Sequence, residues 1–204
     1  MKERPILFSG EMVRAILEGR KTQTRRILKQ ALSPSTEADI DGEGVAKISR
    51  LYGDGPGHDV HEHVSRVRCA YGVPGDRLWV RETFSQVFQG RVFYRANPGD
   101  IAMRWTPSIH IPRALSRIDL EVTAVRVERL HEITEDDARA EGVHPEKTKL
   151  ISDEQPIIAG DGRTKGSHPH TFAFACLWDD INNERASWMS NPWVWVVSFE
   201  RRRP

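Results

Sequence analysis

The sequence predicts an α+β fold: a small mixed β-barrel with peripheral helices and two long irregular insertions. Three observations point there. Segments of period-two apolar alternation dominate the regular parts of the chain, with short helical patterns between them and turn residues at close intervals. The clearest of these segments, residues 117–130, changes phase at Thr123-Ala124, as strands do at the bulges that bend a barrel. Strand and helix do not alternate regularly, which argues against a doubly wound sheet.

The elements follow in order. Residues 5–8 read as a short strand. Ser9 caps a helix in which Glu11 suits the positive N-terminus and Met12, Val13, Ile16 and Leu17 share an apolar face. Gly19 stops that helix, and residues 24–28 return as a strand. Residues 31–66 then lose periodicity as Ser, Asp, Gly and Pro accumulate. They are expected to form an insertion or flexible loop with a short hairpin near residues 45–52. Regular structure resumes at Val67. Pro74-Gly75-Asp76 is a turn, residues 77–84 a strand, and residues 87–94, broken at Gln89-Gly90, a hairpin. In the strand beginning at Arg117, Ile118, Leu120 and Val122 alternate in one phase, Val125 and Val127 in the other.

Thr134 caps a short helix that opens on Glu135-Asp136-Asp137 and ends near Gly142. Residues 143–170 form the second irregular stretch. Phe174, Leu177, Trp178 and Ile181 mark a third amphipathic helix. In the last strand Trp193, Trp195, Val197 and Phe199 face one way and Val194, Val196 and Ser198 the other, which suits a central position. The chain shows no internal repeat and reads as one domain, 1–204, with insertions at about 31–66 and 143–170.

Composition narrows the function classes. Hydrophobic residues make up 38% and charged residues 29%, so a modest core with sizeable solvated loops is expected. The net charge of +1 gives no global pull toward nucleic acid, but charge is unevenly placed. Residues 1–30 hold eight Lys/Arg against three Asp/Glu, whereas residues 31–66 hold seven acids against three bases. A local basic site on a neutral body suits a small anionic or polar ligand, or a short stretch of RNA, better than long duplex DNA. Cys69 and Cys176 form neither a disulfide framework nor a four-ligand zinc pattern. A cytoplasmic location is expected: there is no apolar signal core and no run approaching membrane-spanning length, and hence no membrane partner.

The densest chemistry lies at Gly19-Arg20-Lys21-Thr22-Gln23-Thr24-Arg25-Arg26. Basic residues at a helix C-terminus suit the macrodipole and are often merely solvated. The spacing adds more. An amine three residues before a hydroxyl can lie beside it if the segment turns, and neighbouring cations lower its pKa, so Lys21 and Thr24 are a candidate base and nucleophile.

Gly-x-Lys-x-x-Thr-x-Arg over residues 19–26 resembles the signature of ASCH domains, which are related to the PUA RNA-binding fold. Thr24, where most members carry Glu, resembles the small bacterial ASCH amidohydrolases that cleave N(4)-acetylcytidine. Pro74-Gly75-Asp76-Arg77-Leu78-Trp79-Val80-Arg81-Glu82 resembles the turn and strand lining the ASCH pocket. The overall layout resembles the longer, phage- or prophage-associated ASCH proteins across nearly the whole chain, while the likeness to the amidohydrolases is confined to short motifs. The resemblance implies a PUA-like barrel and a catalytic acid near the end of the short helix after the long strand. Glu141 takes that place, with Asp136 and Asp137 as rivals.

The implied reaction is an acyl transfer. Lys21 takes the proton of Thr24, Thr24 attacks the amide carbonyl, Glu141 orients Lys21 or protonates the departing amine, and Arg26 or backbone N–H groups hold the oxyanion. No metal or organic cofactor is required. The expected partner is a modified nucleoside or RNA. Arg20, Arg25, Arg26, Arg81, Glu82, His110 and Arg113 are the candidate substrate contacts. Arg81 and Glu82 equally suit a surface salt bridge, Trp79 is expected in the core, and the prolines around His110 and Arg113 suit a rigid crossover loop. A non-catalytic RNA- or nucleotide-binding module and an ASCH-type ribonuclease are the alternatives. His58, His61 and His63, like His168 and His170, have ligand-like spacing, but unanchored loop histidines seldom hold a metal and no metal is expected.

Overall fold

A computed structural model describes residues 1–31, 36–41, 43–53, 60–86, 90–147, 167–182 and 184–202. The chain order is β1 (Glu3–Leu7), α1 (Gly10–Leu17), β2 (Gln23–Ile27), β3 (Thr36–Ile40), β4 (Val45–Gly53), β5 (Val60–Arg68), β6 (Arg77–Arg81), β7 (Phe84–Gln86), β8 (Val92–Tyr94), β9 (Asp119–Arg129), α2 (Glu135–Ala140), α3 (Pro169–Asn182) and β10 (Trp193–Arg201). The architecture is α+β, mostly sheet with few helices. A five-stranded sheet runs β1-β6-β9-β10-β2, parallel between β1 and β6 and antiparallel elsewhere. Among the described residues no ladder joins the edge strands β1 and β2, so the sheet is open.

Two cores form on opposite faces of this sheet. On one face Ile6, Phe8, Leu78, Val80, Leu120, Val122, Trp195, Val197 and Phe199 pack with Val13 and Ile16 of α1. On the other, Val194 and Val196 pack with Ala138 of α2 and Phe174 and Trp178 of α3. The central strand β10 supplies both, as its two-sided apolar pattern requires. The phase change in β9 is a bulge: Ser198 pairs with Ala124 but Phe199 pairs with Val122, so Thr123 is the extra residue. It keeps Leu120 and Val122, before it, and Val125 and Val127, after it, against the same core.

The segment 31–66 differs from expectation. The hairpin belongs to a three-stranded antiparallel sheet, β3-β4-β5, and regular structure begins at Thr36 rather than Val67. Ala46 and Ile48 are buried, and Ala38, Ile40 and Val67 pack beside them on the first core. The outward face carries Glu37, Asp39, Lys47 and Arg66. That charge hid the alternation, because the inward residues are few and small. Two smaller differences follow. The hairpin expected at 87–94 starts earlier, pairing Phe84 with Tyr94 and Gln86 with Val92, and residues 87–89 lie outside the described residues. In α3, Ile181 is exposed, while Thr171 to Ala175 are all buried.

Candidate active site

The site begins where α1 ends. Ser9 Oγ accepts from Met12 N at 3.3 Å, capping the helix, and Gly19 turns the chain at a positive φ of 76°. The amides of Arg20 and Lys21 both donate to Ala15 O, at 2.8 and 3.0 Å. Thr22 N then donates to Ala140 O at 2.8 Å, and a bridge pairs Lys21 with Glu141, the residue that ends α2. Gly142 makes this approach possible. Its φ is 78°, and a Cβ there would lie 2.8 Å from the Cβ atoms of both Ala15 and Lys21.

Lys21 is 2% exposed and Glu141 4%. Lys21 Nζ donates to Glu141 Oε2 at 2.7 Å, Glu141 O at 2.9 Å and Gln23 O at 2.7 Å, so all three ammonium protons are committed. Burial pushes the Lys21 pKa down; the attraction of Glu141 opposes this, the Arg26 and Arg25 charges reinforce it, and the net direction is down.

A wider network extends from this pair. Arg25 reaches Glu141 Oε1 at 3.3 Å, Asp137 Oδ2 at 3.3 Å and Glu128 Oε1 through Nε at 3.0 Å. Arg126 meets Glu128 at 2.8 Å and Asp137 at 3.0 Å, and Gln23 Nε2 donates to Asp137 Oδ1 at 3.1 Å. Three cations thus face three carboxylates. For Asp137 burial pushes the pKa up, but the Gln23 hydrogen bond and the Arg25 and Arg126 charges outweigh it, and the pKa is lowered.

The rest of the basic segment is divided by the pleat of β2. Gln23 and Arg25 pair across to Ser198 and Val196, on the side of the second core, whereas Thr24 and Arg26 pair across to Val197 and Trp195, on the side of the first. Thr24 is 3% exposed, and its hydroxyl has no hydrogen-bond partner among the described residues. No hydrogen bond joins it to Lys21 Nζ. Arg26 shares its face. Arg26 Nη2 donates to Leu7 O at 2.7 Å, its guanidinium lies over Phe8 and Tyr71, its Nε is buried with no acceptor, and it has no carboxylate partner among the described residues. The Phe8 ring also underlies Lys21 Nζ, with its centroid 5.5 Å away.

The remaining candidates lie apart from these groups. Arg20 donates to Glu18 and to Gly142 O at the surface. Glu82 is buried but held by Arg117 in a two-pronged pair at 2.8 and 2.9 Å. Arg81 stacks on Trp79, and Arg113, which pairs with Glu3 and Asp119, lies over the same ring. Trp79 is therefore half-buried on the outer face of β6 rather than in the core, which Leu78 and Val80 fill instead. His110 is exposed in a 3-10 turn, Ser108–His110, of the crossover loop that Ile111 anchors. No hydrogen bond or ion pair among the described residues joins Arg81, Glu82, His110 or Arg113 to Lys21, Thr24 or Glu141. Asp136 is at the surface with Arg139. Of the three acids considered, Glu141 is the one that touches Lys21.

Sequence reasoning missed Gln23, Arg126, Glu128 and Arg117. The first three had a usable signal. Arg126 and Glu128 are the polar alternates of Val125 and Val127, and a central β10 places them in line with Arg25. Among the described residues no group of His, Cys, Asp and Glu is arranged to hold a metal ion; His58 lies outside them. His170 pairs with Glu135 at 3.2 Å. Burial pushes both cysteine thiols up, away from thiolate chemistry. No helix among the described residues is long and apolar enough to cross a membrane.

Compared with protein-family models, curated proteins and solved structures, the chain matches none.

Proposed function

We propose that Lys21, Thr24 and Glu141 form the centre of an amidohydrolase acting on N(4)-acylated cytidine or a related modified nucleoside, in a domain of the ASCH, PUA-like type. The observation that carries this reading is a buried amine, Lys21, whose pKa is lowered and which a carboxylate holds at 2.7 Å, three residues from Thr24, a buried residue whose hydroxyl bonds to no described residue.

In its charged form Lys21 is only a donor. Glu141 takes one proton from it, which leaves a lone pair on Nζ, and burial makes that loss easier. Lys21 then takes the proton of Thr24 Oγ1 as Oγ1 bonds to the acyl carbon. The oxyanion faces the open Nε–H of Arg26. Collapse breaks the C–N(4) bond, and the Lys21 proton goes to the departing amine. Water attacks the acyl-Thr24 ester and gives its proton to Lys21. The adduct expels Thr24 Oγ1, which takes the proton back from Lys21; the acid product leaves as the carboxylate with its proton passing to solvent, and Glu141 returns its proton to Lys21.

The alternative of a phosphate cradle draws less support, because Lys21 and Arg25 are neutralised by carboxylates and only Arg26 is left without one. A ribonuclease reading lacks a histidine bonded to the cluster among the described residues. The test is incubation of the purified protein with N(4)-acetylcytidine beside Lys21→Ala and Thr24→Val. Cytidine and acetate should appear with the wild type alone. Thr24→Val should change stability by no more than about 1 kcal/mol, because it keeps the side-chain shape and breaks no hydrogen bond to a described residue. Absence of turnover with acetyl and larger N(4)-acyl cytidines would overturn the reading.

A further inference from the structure

A second site lies on the three-stranded sheet. A cleft of about 300 Å³ opens between the 3-10 turn Lys29–Ala31 and the inner face of β3-β4-β5. Thr36, Arg50 and His63 stand in one row across the three strands, with Ile48 and Ser65 in the next row on the same face. Lys29 and Gln30 form the opposite wall. Among the described residues none of Lys29, Arg50 and His63 has a hydrogen-bond or ion-pair partner, and no Asp or Glu lines the cleft. The acids of these strands, Glu37, Asp39 and Glu62, lie on the other face by alternation. Behind the floor Arg129 donates to Thr36 O at 3.0 Å, adding a further positive group.

A cleft whose described lining offers two permanent cations, a histidine, two hydroxyls and an amide, and no acid, matches a phosphate. Its shape selects the source. Small ligands are usually enclosed over most of their surface. Here Lys29, Gln30, Arg50 and His63 are all exposed, so the cleft suits a strand lying across it. Among the described residues no Phe, Tyr or Trp lines it, which favours contact with the backbone rather than with bases. We propose that this cleft binds a phosphodiester group of a single nucleic-acid strand. The proposal does not depend on the acyl-transfer reading, since it shares no residue with the Lys21 cluster.

The test measures binding of a labelled single-stranded RNA of about ten nucleotides to the full chain over a salt series. The variants are Lys29→Gln/Arg50→Gln and, as a control, Lys47→Gln on the outer face of the same sheet. The double variant should bind at least about tenfold more weakly, with the salt slope reduced by about 0.7 for each phosphate that is no longer neutralised. Lys47→Gln should bind like the wild type. Turnover of free N(4)-acetylcytidine, if present, should be unchanged in the double variant. Equal weakening by Lys47→Gln, or no binding of RNA by the wild type at low salt, would overturn the proposal. A nucleoside monophosphate binding as tightly as the strand, with the same weakening in the double variant, would keep the phosphate site and overturn the strand as its source.

Discussion

Two basic regions of this protein, the Lys21–Arg25–Arg126 cluster and the Lys29–Arg50–His63 cleft, face opposite physical demands. In the first, Lys21 and the Arg25 side chain are withdrawn from water, and each meets a carboxylate: Glu141 for Lys21, and Glu128, Asp137 and Glu141 for Arg25. In the second, the cations stay at the surface and meet no carboxylate among the described residues. Burial of a charge is tolerable only with a partner, whereas an exposed charge is satisfied by water and remains available to a ligand. The basic segment that dominates the sequence is therefore largely internal in its effect. Of the two permanent cations of the cleft, Lys29 ends the basic stretch and Arg50 lies in one whose sequence is acidic overall.

The sharpest way to break this contrast is Glu141→Ala. It leaves the Lys21 ammonium buried without its carboxylate and should cost about 3–5 kcal/mol in urea unfolding at neutral pH. A loss below about 1 kcal/mol would mean that the pair is solvated and that the two regions do not differ as described.

Asp137→Asn should cost less, about 1–3 kcal/mol, because Gln23 and part of the Arg contacts can persist. It also separates the regions by pH. The folded pKa of Asp137 lies below its ordinary 3.8, so its contribution is complete above that value and disappears as pH falls through the folded pKa. Urea midpoints of the wild type should therefore fall through this acid range, and those of Asp137→Asn should fall less. Parallel curves would remove Asp137 from the network. The smallest effect is expected in the cleft. There Lys29→Gln/Arg50→Gln should change stability by no more than about 0.5 kcal/mol, since neither side chain has a partner to lose. A larger drop in the urea midpoint would show that these cations support the fold.

What the sequence disclosed depended on the range of the cause. The Ser9 cap, the Gly19 stop, the Thr134 cap and the bulge at Thr123 are set by residues within a few positions of each other, and their patterns were readable. The two-sided apolar pattern of β10 also placed it centrally. The three-stranded sheet was read as a loop because Ala38, Ala46 and Ile48 carry its inner face with little apolar bulk. At the candidate site, Glu141 was expected near Lys21 only through the family resemblance, with Asp136 and Asp137 as rivals, because 120 residues separate the pair. Its connection to Glu128 and Arg126 depends on the pairing of β2 and β9 through β10, about which no single segment is informative. The grouping of Arg25 with Arg26 failed for a simpler reason: neighbouring residues of a strand leave opposite faces, so the pleat sorts them.

Strand β10 has a consequence beyond position. Trp195 and Val197 belong to one core, and Val194 and Val196 to the other, on a single run of backbone. Neither core can loosen without stripping one side of that run, and its neighbours β2 and β9 carry Arg25, Arg126 and Glu128 of the ion network, which α2 completes with Asp137 and Glu141 at its end. Among the described residues β10 is thus a backbone run that both cores share. Unfolding of the α2–α3 side is therefore expected to accompany unfolding of the face that holds Thr24.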